Sequence, residues 1–311
     1  MKITYFFRFL FFWLLFLTIQ LSASTSMGEK LPVIASIFPV ADMVQQVGGE
    51  HVDVTVVLPA GASPHTFEPK PSMVRKFSTS RIFFMIGAGL EFWAAKFVET
   101  SGGRIKNVVL SKGIPLIHFA GRHADHNHHT GKADISEHEF QVGNPHIWLD
   151  PEIAKSMVNK IVTALCEVDP LRSKYYIQHG KKYVDELGKL DRLIKTTVDT
   201  FKIRKYVSFH ASWDYFARRY GLTSVGVIVT APGRDPTPTQ IGDIINQTRK
   251  HGIRALFAEP QLNPKAAEVI ASEANVKILL LDPLGGPKLK NRNTYLDLMK
   301  YNLNILERAM K

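Results

Sequence analysis

The chain carries a single cysteine, Cys166, in 311 residues. An intramolecular disulfide is therefore excluded, and Cys166, set among Val162 and Leu165 in a helical pattern, reads as a small buried hydrophobe. No HExxH sequence occurs, and no general base stands beside the ligand motifs described below. Both absences weigh against a secreted zinc hydrolase, whose metal also keeps one position open for water. Beyond the first two dozen residues no stretch is long and apolar enough to cross a bilayer. Acidic residues are sparse, 28 against 39 lysines and arginines, for a net charge of +11. The basic residues are scattered, so solubility or contact with an anionic membrane surface explains them better than nucleic acid does.

What is present begins with a leader. Lys2 and Arg8 precede or interrupt an apolar run over residues 6–21, and Ser22, Ala23 and Ser24 follow as small residues. This predicts a cleaved secretory signal peptide over residues 1–24 and a periplasmic mature chain. An uncleaved anchor is the alternative, and the apolar core is short for it. No cysteine follows the cleavage region, so a lipid anchor is not expected. Removing Lys2 and Arg8 lowers the net charge to +9.

The remaining roughly 287 residues exceed the usual size of a single core and point to two lobes. Strand-like runs fall at residues 33–37, 52–58, 81–86, 206–209, 223–228, 255–257 and 276–281. Helical patterns lie between them, near residues 40–47, 72–77, 213–220, 239–251, 264–274 and 294–309. This alternation predicts an α/β protein with two similar lobes, each a mostly parallel sheet flanked by helices. The N-terminal lobe would span residues 25–169 and the C-terminal lobe residues 201–311. Between them, residues 170–200 show a charged helical pattern with Val184, Leu187, Leu190, Ile194 and Val198 on one face. Asp169 and Pro170 suit its start, and a helix of that length makes a stiff linker.

Three segments place a histidine at or near the edge of an apolar run: GASPHTFEP (His65), NPHIWLDP (His146) and VSFHASWDYF (His210). LLLDPLGG does the same with Asp282. Three imidazoles and a carboxylate form a full set of ligands for a metal with zinc-like preferences. Roughly 65 to 80 residues separate successive members, so the site forms only when the whole chain folds. His210 and Asp282 follow predicted strands directly and His65 follows one by a short loop, the usual ligand position in parallel sheets. All four are expected to face an interlobe cleft. Glu259, also after a strand, is expected beside the ligands in a supporting or packing role. Trp148, Trp213 and Phe67 would wall the site.

At these motifs the chain resembles the metal-specific solute-binding proteins of bacterial ABC importers, in particular the periplasmic high-affinity zinc-uptake type. The matching text is ASIFPVADMVQQVGG, LPAGASPHTFEPKPS, NPHIWLDP, SFHASWDYFARRYGL, FAEPQLNP and LDPLGG, in the family's order. The resemblance implies two α/β lobes joined by a rigid helix with metal between them, and ligand roles for His65, His146, His210 and Asp282. It implies capture of Zn2+ as cargo and delivery to a membrane permease with its cytoplasmic ATPase, without catalysis, by a monomer. A manganese- or iron-binding or adhesin-like member of the same fold is the alternative. Relatives resembling manganese carriers often have a carboxylate where this chain has His210, and three imidazoles favour zinc.

A second histidine group lies in a polar stretch at about residues 120–144, where His123, His126, His128 and His129 crowd together near Asp125, Glu137 and Glu139. His-rich tracts are a compositional sign of metal binding, and zinc-uptake members often carry such a loop here. These four are expected to bind zinc weakly; a solvated loop without a role is the alternative.

Overall fold

The computed structural model describes residues 29–118, 143–230 and 233–311. The expected signal peptide and the loop histidines His123, His126, His128 and His129 lie outside the described residues. Residues 31–311 form one compact unit.

Two parallel four-stranded sheets carry the chain. The first contains β1 (Leu31–Ala35), β2 (Val52–Val56), β3 (Ile82–Met85) and β4 (Lys106–Val109) in the order β2-β1-β3-β4. The second contains β5 (Lys205–Ser208), β6 (Thr223–Val227), β7 (Ala255–Ala258) and β8 (Lys277–Leu280) in the order β6-β5-β7-β8. The inner strands β3 and β7 are buried at every position. That is why they read as continuous apolar runs rather than alternating ones. β4 is an edge strand, KNVV, with Lys106 and Asn107 exposed; it has neither signature and went unpredicted.

The helices are α1 (Phe38–Gly48), α2 (Met73–Thr79), α3 (Ala94–Thr100), α4 (Pro151–Val168), α5 (Ser173–Asp199), α6 (Asp214–Tyr220), α7 (Pro238–Lys250), α8 (Lys265–Ala274) and α9 (Tyr295–Met310). No helix among the described residues is long and apolar enough to cross a membrane. α4 starts where Asp150 accepts from the backbone N–H groups of Glu152 and Ile153, with Pro151 in its first turn. Such a cap is worth about 1 kcal/mol.

α5, the long helix, has 27 residues and so runs about 40 Å. Its start differs from expectation. Pro170–Arg172 form a short 3-10 turn, and the Asp169 carboxylate takes the Tyr176 hydroxyl at 2.6 Å and Arg172 Nη1 at 2.7 Å. Gly180 is a packing residue here: a Cβ at that position would run into the Val162 side chain of α4.

α5 is not the sole join between the sheets. One hydrophobic core runs from Val33 and Phe84 through Leu187 and Ile194 to Phe257, Leu281 and Tyr295. α9 packs on both α5 and α1. At its start, the Tyr295 N–H donates to Asp42 Oδ2 of α1 at 2.8 Å. Burial pushes the Asp42 carboxyl above its ordinary pKa, against the hydrogen bonds from Tyr295, Gln46 and Tyr183.

Candidate metal centre

His65 stands on the loop between β2 and α2, half-buried. His146 precedes a 3-10 turn, Ile147–Leu149, that leads into α4. His210 follows β5 and opens another such turn, Ala211–Trp213. Glu259 comes directly after β7, and Asp282 just after β8. The last three therefore lie beyond the carboxyl ends of parallel strands, where the fold leaves backbone and side chains free to meet a ligand.

The three imidazoles converge. His146 Nε2 lies 3.2 Å from His65 Nε2 and 3.1 Å from His210 Nε2. Among the described residues, these three form a group whose potential ligand atoms lie within 4.8 Å of one another. Tetrahedral zinc with Zn–N bonds of about 2.0–2.1 Å sets neighbouring nitrogens roughly 3.3 Å apart. The observed spacing is close to that figure.

Hydrogen bonds on the far side of two rings decide what they present to the centre. Asn144 Nδ2 donates to the Ala211 carbonyl at 2.6 Å and to Asp214 Oδ2 at 3.1 Å. That fixes Asn144 Oδ1 as the acceptor for His146 Nδ1, 2.8 Å away, and for the His146 N–H at 3.0 Å. His146 thus carries its proton on Nδ1 and turns the Nε2 lone pair inward. His210 Nδ1 lies 2.6 Å from Glu259 Oε1, off the line of a straight N–H bond. The same oxygen accepts from the Ser212 hydroxyl at 2.9 Å. His210 turns the Nε2 side of its ring to the same point, 3.1 Å from His146 Nε2, so the donor set fits a metal ion. Burial, reinforced by the neighbouring imidazoles, lowers the pKa of His65 to about 3 and that of His146 well below its ordinary value. Both rings are therefore neutral at physiological pH, as a metal ligand must be.

Asp282, expected as the fourth ligand, is placed otherwise. It is fully buried and is not in the grouped donor set. Its Oδ1 accepts from Gln261 Nε2 at 2.8 Å and from the backbone N–H groups of Leu284 and Gly285, each at 3.0 Å. Its Oδ2 accepts from Arg292 Nη1 at 2.8 Å. Four donors thus hold the carboxylate in place, three on Oδ1 and one on Oδ2. The Asp–Pro step in LDPLGG folds the loop after β8 around this carboxylate. Gly285 is required there, because φ is +67° and a Cβ would stand 2.6 Å from the Arg292 carbonyl.

Trp148 closes the floor. Its indole N–H donates to the Pro283 carbonyl at 2.7 Å, and its own carbonyl accepts from the Tyr295 hydroxyl at 2.6 Å. The cavity here, about 10 Å³, is lined by His65, His146, His210, Glu259 and Gln261 together with Trp148 and Leu284. That volume holds one water-sized particle. Phe67 is half-buried and packs on the core; Trp213 is buried and edges onto Phe216. Asn144, Gln261 and Arg292 escaped sequence reasoning. Asn144 and Gln261 lay inside the quoted motifs NPH and EPQL, without a charge or ring to single them out.

A family model described as ZnuA, zinc-uptake complex component A, periplasmic, matches residues 33–309. The high-affinity zinc uptake system protein ZnuA of Bacillus subtilis (strain 168) is 27% identical over 292 residues, covering 93% of this chain and 90% of that protein. The zinc-binding protein AdcA of Streptococcus pyogenes serotype M3 is 26% identical over 286 residues; the match takes in 89% of this chain but only 55% of AdcA. A crystal structure of ZnuA superposes with a TM-score of 0.77 at 26% identity, covering 90% of this chain and 99% of that one. A match over nearly the whole folded chain, on a fold with three converging imidazoles between two parallel sheets, places this protein in the ZnuA family of periplasmic zinc-uptake components.

Proposed function

We propose that this chain captures one zinc ion in the periplasm and delivers it to an ABC-type membrane permease driven by a cytoplasmic ATPase. The observation that carries this reading is the convergence of the three imidazoles, with His146 Nε2 at near-tetrahedral spacing from the Nε2 atoms of both His65 and His210. Three nitrogen donors suit zinc better than manganese, which prefers oxygen. His65, His146 and His210 bind the ion. Glu259, on His210 Nδ1, raises the basicity of that ring and fixes its orientation. The role is binding rather than catalysis, and the unit is a monomer exported by a cleaved leader.

Release to a permease requires that the ion be uncovered without unfolding the protein. His65 is the ligand suited to move, because it is half-exposed on a loop while His146 and His210 are buried. His123, His126, His128 and His129 collect zinc more weakly and exchange it faster, since ordering a loop costs about 1–2 kcal/mol per residue fixed.

The test is elemental analysis of protein purified without added metal, followed by chelation and competitive reloading with zinc, manganese, copper and nickel. One zinc per molecule, retained against manganese, is expected and lost in His146→Ala. Preferential retention of manganese would overturn the zinc reading, and wild-type zinc binding by His146→Ala would overturn the three-histidine site.

A further inference from the structure

Gln261 both lines the metal cavity and touches Asp282. Its amide has two ends with different chemistry. Nε2 donates to Asp282 Oδ1 at 2.8 Å. Because a carboxylate oxygen accepts hydrogen bonds, the amide cannot turn its oxygen to that side. Oε1 must face elsewhere, and it is buried without a hydrogen-bond partner among the described residues. A buried acceptor left unmatched is costly, so its placement beside three converging imidazoles needs an account.

The three histidines fill three positions of a tetrahedral ion, and the one carboxylate expected to fill the fourth is held by four donors outside the histidine group. Resting on the reading that these histidines hold zinc, we propose that the fourth ligand is a water molecule whose proton is accepted by Gln261 Oε1. Metal-bound water is a stronger donor than bulk water because the cation polarises its O–H bonds. An amide oxygen is a neutral acceptor that can hold it without adding charge to the site. Asp282 and Arg292 are then positioning residues. Arg292, stacked over the Tyr301 ring at 4.8 Å, holds Asp282. Asp282 in turn holds the amide so that its oxygen points inward. The chain Arg292–Asp282–Gln261 thus links the loop after β8 to the coordination of the ion without contributing a ligand.

The experiment compares Gln261→Met, Asp282→Asn, Asp282→Ala and the double variant Gln261→Met/Asp282→Ala. The readouts are zinc affinity by chelator competition and the visible spectrum of the cobalt(II)-loaded protein. Thermal melts of the metal-free proteins confirm folding, and His146→Ala serves as the control for the site itself. Gln261→Met, similar in length but lacking the carbonyl, is expected to lower zinc affinity about 10- to 100-fold, the range for residues that hold a ligand from behind, and to shift the cobalt bands. Asp282→Asn keeps an oxygen for the Gln261 amide but sets an NH2 group against Arg292, so it should lose less affinity than Asp282→Ala while not matching wild type. Asp282→Ala should match Gln261→Met, and the double variant should lose little more than either single change, as two residues acting through one contact require. Wild-type affinity and spectrum in Gln261→Met overturn the proposal. So does a further large loss on adding Asp282→Ala to Gln261→Met, which would make Asp282 itself a ligand. Failure of the three-histidine reading would show separately, as undiminished binding in His146→Ala.

Discussion

In the C-terminal sheet, His210 follows β5 almost at once and Glu259 comes directly after β7, so strand geometry itself sets both side chains. In the N-terminal sheet, which has the same strand order, His65 stands well out along the loop that follows β2 and remains half-exposed. His146 belongs with the firm side. It is 2% exposed, its Nδ1 is held by Asn144, and the turn it opens runs straight into α4. Two copies of one topology therefore hold their donors unequally. If His65 is the ligand that moves, as proposed, the difference teaches how a site gains one movable wall while its other donors keep their places.

The largest effects should come from the firm side. His146→Ala and His210→Ala are each expected to weaken zinc binding at least about 100-fold, close to 3 kcal/mol, because a buried cleft cannot readily replace the lost bond with water. His65→Ala should cost less, since solvent reaches its place. Competition titrations of the three variants decide the matter, and equal losses would break the comparison. Asn144→Leu sharpens it. Removing the acceptor behind His146 Nδ1 frees the tautomer, and the expected loss is about tenfold, with His65 still in place. Affinity unchanged in Asn144→Leu would mean that burial alone holds His146.

The same contrast explains what could be read from the sequence. The strands β3 and β7 were legible because fully buried strands are apolar throughout and their ends are abrupt, and the three histidines stood out because each lies at or near the edge of an apolar run. β4 was not, since an edge strand of four residues with Lys106 and Asn107 exposed has no period to detect. Asp282 is ambiguous in sequence for a physical reason: a carboxylate after a strand and before a proline can bind metal or fold a turn. What decides between them is Arg292, Gln261 and two backbone N–H groups that come together only in three dimensions. Asn144 was invisible in the same way, because its importance lies in which end of its amide faces Ala211.

A smaller effect concerns the metal-free protein in acid. His146 stays neutral in the folded state well below its ordinary pKa, chiefly through burial, and His65 does so down to about 3. In the unfolded chain both titrate near ~6.5. Below that pH the unfolded state binds more protons, so stability falls as pH drops and is regained as pH rises toward 7. For fully buried His146 the loss reaches about 2 kcal/mol by pH 5, and His65, neutral in the folded state down to about 3, acts in the same direction over that range. Melting of metal-free protein between pH 7 and 5 should therefore drop by several degrees. His146→Phe and His65→Phe should each flatten the dependence. A slope left unchanged by either variant would show that the ring it replaces is not held neutral in the folded state.

The smallest expected effect tests whether the movable wall needs the histidine-rich stretch. Its two flanks are already tied together: the Asn144 N–H donates to the Ile117 carbonyl at 2.7 Å, and the Tyr215 hydroxyl bridges the Ile117 N–H and the Asn144 carbonyl. Asn144, which holds His146, is thus anchored from α6 and from β5's end independently of residues 122–139. Deleting those residues should leave one tight zinc per molecule and near-wild-type affinity at that site, while removing weaker equivalents seen by calorimetry. Growth dependent on this protein should suffer only when zinc is scarce. If the deletion instead abolished tight binding, a donor from that stretch would be completing the coordination sphere. The water assigned to Gln261 would then have to give way to it, and the contrast between the two sheets would no longer rest on His65 alone.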